Sequence, residues 1–181
     1  MPAMKPLAAP RIVHAGPIFS VERRECPNPR GADRPPIVRD IVRHPGAVAV
    51  VPVLDDGRLV LIRNRRDAVD AWLYELCAGK LELGEEPAAA AGRELEEETG
   101  YVATTIEKLG EFYTSPGFAD ELMRVFEARG LRPAAQRLEE DERITVEIRT
   151  VDETLAMIAG GEIRDGKTLA GLLLWLRRSV P

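Results

Sequence analysis

The run AVAVVPVL, residues 47–54, is the feature that most restricts the fold of this chain. It is almost continuously apolar and lacks the alternation of a strand with one face in water. This pattern is typical of a strand buried on both faces. DDG and RLVLIR follow it, and Asp-Gly tolerates the positive φ angles of a tight hairpin turn. The core of a sheet therefore begins here.

Strands and helices are both expected in the rest of the chain. Strands are predicted in AWLYELC, ATTIEKLGEFYTS, LMRVFEARGL and RITVEIRTV. One helix is predicted to begin at Pro87 and stop at Gly100, a second covers 152–159 with Asp152 as N-cap, and a third covers about 167–178. The third helix carries an apolar stripe that is expected to face the core: Leu169, Leu172, Leu173 and Leu176. This order predicts an α/β fold, a sandwich with helices on both faces of a mixed β-sheet.

The N-terminal segment differs from the rest in being rich in Pro and Arg. Two strands are predicted there, at 18–24 and 37–44, joined by the turn-forming segment CPNPRGADRPP. The expected organisation is an antiparallel β appendage at 1–45, followed by a single domain at 46–181.

Charge and cysteine content narrow the classes of function. The 181 residues carry a formal net charge of -5, which argues against non-specific binding to nucleic acid or to a membrane surface. Cys26 and Cys77 have no metal-ligand spacing, so neither a disulfide framework nor a zinc site is expected, and a reducing cytoplasm fits best. No run has the length of a membrane span, and the N-terminus has no apolar core of a signal peptide.

Carboxylates crowd the predicted helix in AGKLELGEEPAAAAGRELEEETGY, residues 78–101. Glu94 and Glu98 are i,i+4 neighbours, and Glu97 lies beside them, so that their oxygens can converge. They occupy the last turns, where the helix dipole disfavours anions by about 0.3–1 kcal/mol. A hard divalent cation would offset both effects, because Mg²⁺ prefers oxygen ligands. A charged surface helix in water is the alternative.

The spacing of this segment resembles the Nudix box, G-x5-E-x7-R-E-U-x-E-E-x-G-U, where U is apolar. The residues that match are Gly79, Glu85, Arg93, Glu94, Leu95, Glu97, Glu98, Gly100 and Tyr101. The flanking segments ELCAGKLELGEE and SPGFADE are similar to the ADP-ribose pyrophosphatase branch of that family, although Cys77 stands where that branch usually has proline. The resemblance covers about residues 40–178.

This resemblance implies a Nudix fold and hydrolysis of a nucleoside diphosphate sugar, with ADP-ribose cleaved to AMP and ribose 5-phosphate. The implied cofactor is Mg²⁺, with Mn²⁺ or another divalent cation as the alternative. The box does not read the base or the sugar, so another nucleotide sugar such as GDP-mannose stays open. A non-catalytic ligand sensor on the same fold is the alternative from a different class, and the complete set of box glutamates disfavours it.

The resemblance also implies the metal ligands. They are Glu94 and Glu98, with Glu97 as a ligand or as the partner of one, and with the carbonyl of Ala78 completing the site. Glu97 is also a catalytic candidate. A salt bridge from Arg93 to Glu85 is expected to tie the loop to the helix.

A general base is implied in the acidic loop RLEEDERITV. Glu140 is favoured as the base and Glu142 as a residue near the metal, and the choice between the two stays open. Asp141, between them, is expected to point the other way if the loop is extended.

Substrate contacts are implied outside the box. Arg63 and Arg66 are candidates for the phosphates, with Arg66 the better match, and Glu121 is a candidate for the terminal ribose. The base needs a flat apolar partner, for which the candidates are Phe118, Phe19 and Trp72. In similar enzymes the N-terminal strands are exchanged between subunits, so a homodimer is expected. No nucleic-acid or membrane partner is expected.

Overall fold

A computed structural model describes residues 7–140 and 142–179 of the chain. They fall into two compact units. The smaller unit combines the N-terminal segment, up to Pro45, with Tyr113–Leu122. The larger unit comprises Gly46–Phe112 and the chain from Met123 onward.

The smaller unit is built on an antiparallel three-stranded sheet in the order β1-β2-β3. Its strands are β1 Arg11–Ala15, β2 Ser20–Cys26 and β3 Ile37–Arg43. The two strands predicted in this segment are confirmed within a few residues. Strand β1 was not predicted; all five of its residues are exposed, so its sequence has no buried face to reveal it.

The segment Tyr113–Leu122 joins this unit through hydrogen bonds to the end of β3. The N–H of Val42 donates to the carbonyl of Phe118 at 2.8 Å, and the N–H of Asp120 donates to the carbonyl of Val42 at 3.1 Å. The Arg43 guanidinium pairs with the Asp120 carboxylate at 2.6 Å. Phe118 and Glu121 therefore belong to the N-terminal unit, although they are distant from it in sequence.

The larger unit contains the remaining strands, in three sheets. They are β4 Ala47–Pro52, β5 Leu59–Arg66, β6 Ala71–Glu75, β7 Cys77–Lys80, β8 Tyr101–Val102, β9 Thr105–Tyr113, β10 Leu122–Arg129, β11 Arg132–Pro133 and β12 Ile144–Arg149. One sheet has the order β7-β4-β10-β9, a second has the order β12-β5-β6, and β8 pairs with β11. Strand β4 runs parallel to β10 and antiparallel to β7, so the sheet is mixed as predicted.

Two segments pass from one sheet to another. They are the predicted hairpin at DDG and the predicted single strand AWLYELC. All of β4 is buried as predicted, and the Asp-Gly turn forms, with Gly57 at φ 84. The strands that this turn joins lie in different sheets, however, and an isolated bridge between Val53 and Leu59 connects them next to the turn. AWLYELC likewise divides at Leu76 into β6 and β7, which belong to different sheets.

Three helices cover the two faces of the central strands: α1 Pro87–Thr99, α2 Val151–Ala159 and α3 Gly166–Ser179. Alternate residues of β4 point to opposite faces. The β4 residues that face α1 pack in a cluster with residues of other elements; it includes Val48, Val50, Ile62, Cys77, Ala91 and Leu95. Those facing α2 and α3 form a cluster that includes Ala49, Val51, Leu61, Met157, Leu172 and Trp175. This arrangement confirms the predicted α/β/α sandwich.

The structure corrects two details of the predicted helices. The N-cap of α2 is Thr150 rather than Asp152, because Thr150 and Glu153 form a reciprocal capping box and Asp152 falls within the first turn. In α3, Leu172 is buried as expected, but Leu169 and Leu173 are 36% and 68% exposed. Trp175 occupies the core instead, and its indole N–H donates to Glu127 at 2.8 Å.

Within the described residues, no helix is both long enough and apolar enough to cross a bilayer.

Candidate functional site

Helix α1 has the predicted start and stop, with Pro87 in the first turn and Gly100 in the left-handed conformation at φ 68. Its C-terminal carbonyls are covered by a later segment of the chain. Ala134 N–H donates to Gly100 at 2.7 Å, Arg137 N–H to Glu97 at 2.9 Å, and the Gln136 side chain to the Glu98 carbonyl at 2.6 Å. Backbone groups that a helix end leaves unpaired are thus satisfied without a basic side chain in the last turn.

Two carboxylates of α1 are buried against strand β7. Glu98 is 2% exposed and accepts a 2.8 Å hydrogen bond from the N–H of Ala78. Glu94 is 8% exposed and lies directly on Gly79, where an added Cβ would overlap the Glu94 carboxylate. The Ala-Gly pair of β7 therefore provides the hydrogen-bond donor for one carboxylate and the space for the other.

Burial dominates the electrostatics of this pair. It raises the pKa of Glu98 to about 8, and the negative charges of Glu94 and Glu142 add to that rise, while the Ala78 hydrogen bond and Lys167 oppose it. Burial also raises the pKa of Glu94, where the Arg93 guanidinium acts in the opposite direction. Two anions that share a desolvated position favour either a proton or a bound cation.

Arg93 of α1 binds three carboxylates, one in the loop before the helix and two on the helix itself. Its guanidinium bonds Glu85 at 2.9 and 3.0 Å, Glu94 at 2.7 Å and Glu97 at 3.1 Å. The hydrogen bonds from Arg93 lower the pKa of Glu85. The expected salt bridge between Arg93 and Glu85 is present, and Glu97 is held by the same arginine.

The expected convergence of Glu94, Glu97 and Glu98 is not found. Across 7–140 and 142–179, no three His, Cys, Asp or Glu side chains are grouped closely enough to hold a metal ion. Arg93 Nη1 bonds both Glu94 and Glu97, whereas Glu98 accepts its hydrogen bond from the Ala78 N–H. The donor chemistry still fits a hard divalent cation, because Glu98 is a buried carboxylate whose only hydrogen-bonded partner among these contacts is a neutral N–H.

The acidic loop before β12 places one of its two candidates near this pair. Glu142 is half-buried, and its charge contributes to the raised pKa of both Glu94 and Glu98. Its carboxylate accepts the N–H of Glu139 at 2.9 Å, which fixes the turn. Glu140 is exposed. Asp141 lies outside the described residues.

A cationic group interacts electrostatically with Glu98 of the same pair. Arg66 forms a two-pronged bond to Glu75 at 2.8 and 2.6 Å, and Lys167 also contacts Glu75 as well as Asp165 at 3.0 Å. Glu75 is fully buried. The charge of Glu98 acts on the pKa of Arg66, which is raised chiefly by its hydrogen bonds to Glu75.

The sequence indicates Arg66 but not the residues that hold it. Glu75 lies in the segment ELCAGK next to the box, and this position is a signal for a role in the site. Lys167 had no local signal, because α3 lies far along the chain from Arg66 and Glu75.

The structure does not bring Arg63 to this site. Its guanidinium carbon lies 5.5 Å from the ring centre of Trp72 and 5.8 Å from that of Tyr74. Ile62 packs in the cluster under α1, so its neighbour Arg63 points to the opposite face of the sheet. Trp72 is 43% exposed on that face and is not a core residue.

The three remaining substrate candidates lie in the smaller unit. Glu121 accepts the Thr114 hydroxyl at 2.7 Å and lies 3.7 Å from His44 Nδ1. Phe118 is 59% exposed, as a stacking residue would need to be. The ring of Phe19 lies 6.1 Å from that of His14.

Comparison with known proteins shows what this chain is similar to. A profile of the NUDIX domain matches residues 43–172. The chain is 44% identical over 150 residues to an ADP-ribose pyrophosphatase of Bacillus subtilis, covering 82% of this chain and 78% of that protein. It is 45% identical to a methanol dehydrogenase activator of Bacillus methanolicus, covering 72% of each chain. A GDP-mannose pyrophosphatase of Citrobacter koseri is 38% identical, with 77% of this chain and 81% of that protein covered.

A solved structure that matches this chain has the same fold. It is described as an ADP compounds hydrolase, and it superposes with a TM-score of 0.81 over 99% of this chain and 97% of its own. Its sequence identity is 22%, so this likeness shows the architecture alone.

The raised pKa of Glu98 predicts a specific dependence of stability on pH. The folded pKa of about 8 lies above the ordinary value of 4.5, so the Glu98 carboxyl costs no stability below about pH 4.5 and progressively more as pH rises to about 8. In EDTA at pH 8, Glu98→Gln should have a higher free energy of unfolding than the parent. This difference between variant and parent should be larger at pH 8 than at pH 6, by at most about 2–3 kcal/mol.

The matched control is Glu96→Gln, on the same helix but paired with Arg137 at 3.0 Å. Urea titrations of the three proteins at pH 6, 7 and 8 measure the effect. If the stability difference between Glu98→Gln and the parent does not change with pH, the assignment of a raised pKa to the buried Glu98 carboxyl is wrong.

Proposed function

The chain belongs to the Nudix hydrolase family, and we propose that it hydrolyses the diphosphate bond of ADP-ribose to give AMP and ribose 5-phosphate. The observation that carries this proposal is the burial of Glu94 and Glu98 against Ala78 and Gly79, with Arg66 close by. A diphosphate has multiple negative charges, so its hydrolysis needs both a cation site and a positively charged side chain.

Members of the family generally depend on divalent cations, and we propose Mg²⁺ here, with Mn²⁺ as the alternative. The proposed ligands are Glu94, Glu98 and the carbonyl of Ala78, with Glu97 and Glu142 at the edge of the site. When bound, the cation offsets phosphate charge and lowers the pKa of water. The buried, oxygen-only donor set supports this choice.

The other residues of the site bind the substrate and move a proton. The two-pronged bond of Arg66 to Glu75 uses Nε and Nη2, which fixes the guanidinium and leaves Nη1 out of that pair for a phosphate oxygen. Water attacks one phosphorus, the bridging P–O bond breaks, and the water proton passes to a carboxylate. We propose that Glu142 accepts that proton as the general base. Glu142 is half-buried and acts electrostatically on the acidic pair, whereas Glu140, which the sequence favours, is exposed.

ADP-ribose is proposed ahead of other nucleotide sugars because a relative with 44% identity is named ADP-ribose pyrophosphatase. GDP-mannose is the second candidate, since another relative is named GDP-mannose pyrophosphatase. Phe118, Glu121 and Phe19 of the smaller unit are proposed contacts for the base and the terminal ribose. Arg63 is not included, because its guanidinium stacks on the opposite face of the sheet.

The smaller unit is proposed to form a homodimer interface. Several of its large apolar side chains are exposed, as expected of a surface that another subunit covers. They are Ile12, Val13, Ile18, Phe19 and Val38. The domain boundaries at 1–45 and 46–181 are retained in this proposal, with Tyr113–Leu122 added to the smaller unit. A cytoplasmic location is also proposed, because Cys26 and Cys77 are both free thiols.

Substrate and metal site are tested together with a panel of nucleotide sugars in Mg²⁺. ADP-ribose should be turned over most efficiently, with AMP and ribose 5-phosphate separated by chromatography. Glu98→Gln should lower kcat by at least about 100-fold, while Glu96→Gln, on the same helix, should stay within about 3-fold. Turnover of guanine substrates alone would overturn the ADP-ribose proposal. Equal activity in the two variants would overturn the metal assignment.

The assignment of the base is tested by two variants in one loop. Glu142→Gln should lower kcat about 10²–10⁴-fold, because removing a general base has an effect of that size. Glu140→Gln is the matched control and should keep the rate of the parent. A large loss in Glu140→Gln with little change in Glu142→Gln would restore the assignment favoured from the sequence.

The homodimer is tested by light scattering on the intact protein. We expect the mass of two chains, and we expect Ile12→Asp to shift it toward one chain while lowering activity. Leu173→Asp is a control, since Leu173 is exposed on α3 in the larger unit. A fully active protein with the mass of one chain would contradict the proposal.

A further inference from the structure

Leu76 is the residue at which the chain passes from one sheet to the other. It is fully buried between β6 and β7, which belong to different sheets. Its N–H donates to the Thr168 hydroxyl of α3 at 2.8 Å. A Cβ added at Gly171 would come within 2.7 Å of the Leu76 side chain, so α3 packs closely on this crossing.

Thr168 is itself fixed by the start of α3. Its hydroxyl donates to Asp165 at 2.6 Å, and its N–H donates to the same carboxylate oxygen at 2.9 Å. Thr168 is fully buried. A continuous chain of hydrogen bonds therefore runs from the Leu76 N–H through Thr168 to Asp165, and Asp165 also pairs with Lys167.

The crossing separates the two charged halves of the site. Glu75, immediately before Leu76, holds Arg66 and Lys167. Ala78 and Gly79, two and three residues after Leu76, contact Glu98 and Glu94. A shift of Leu76 would move both groups, because strand residues lie only about 3.3 Å apart along the chain.

We infer that Thr168, anchored by Asp165, is a positioning residue for the proposed reaction: it holds Leu76 so that the arginine and the acidic pair keep their spacing. This inference rests on the proposed function for its catalytic meaning. It assigns α3 a role beyond the packing of its apolar face. The hydroxyl is required because the buried Leu76 N–H needs an acceptor, and an unpaired buried donor favours a shift of the backbone.

The test compares Thr168→Val, which has nearly the same shape but no acceptor, with Thr168→Ser, which keeps the hydroxyl. Mn²⁺ binding is measured by electron paramagnetic resonance without substrate, and Mg²⁺ activation is measured with ADP-ribose. Thr168→Val should weaken Mn²⁺ binding and lower kcat/KM, each by about 10-fold, a loss typical of one buried hydrogen bond. Thr168→Ser should restore both to within about 3-fold.

Thr154→Val is the matched control. Thr154 is also a buried helical threonine, but its hydroxyl donates to Thr150 of its own helix at 2.8 Å. It should lose stability without losing Mn²⁺ affinity. If Thr168→Val does not fold, Asp165→Ala removes the anchor of the same hydroxyl and should weaken Mn²⁺ binding at least about 5-fold.

The two proposals fail in different ways. If the parent hydrolyses no nucleotide sugar but Thr168→Val still weakens Mn²⁺ binding relative to Thr154→Val, the proposed function is wrong and the positioning role stands. If Thr168→Val and Thr154→Val have the same Mn²⁺ affinity and the same kcat/KM, Thr168 has only a structural role and the inference is wrong.

Discussion

The burial of the Glu98 carboxylate against the backbone of Ala78 is the constraint on which the site depends. Removing a carboxylate from water is costly unless it gains a partner of comparable strength. One hydrogen bond of 2.8 Å from a neutral N–H does not meet that need, as the pKa of about 8 shows. The unmet part of the cost favours a bound cation. A feature that lowers the stability of the protein alone thus increases its affinity for a cation.

Much of the fold around this contact could be predicted from sequence because the signals are local. The uninterrupted apolar run of β4, Pro87 at the start of α1 and Gly100 at its end each report on their own few residues. The family assignment was also predictable, since the spacing from Gly79 to Tyr101 is fixed, and the comparisons confirm it. The salt bridge between Arg93 and Glu85 followed from the resemblance, and the contact between Arg93 and Glu97 followed from helical i,i+4 spacing.

The parts that sequence reasoning missed depend on distant residues or on a competing local cap. Asp152 and Thr150 are both good N-caps, and only the reciprocal bond to Glu153 decides between them. At Leu76, where AWLYELC divides, the backbone N–H donates to Thr168, which no local pattern connects to it. The sequence also did not show that one nitrogen of Arg93, Nη1, would bond both Glu94 and Glu97.

The distribution of charge along β6 and β7 explains how one short stretch can serve a diphosphate. Glu75 neutralises part of the positive charge of Arg66 and Lys167, and so keeps two cations beside an acidic pair without bringing them into contact with it. If Arg66 paired with Glu98 instead, the cation and phosphate sites would cancel each other. Separate carboxylates for the arginine and for the metal prevent this. The base and the sugar must be recognised by other residues, because Glu75, Ala78 and Gly79 hold only groups suited to phosphate or cation.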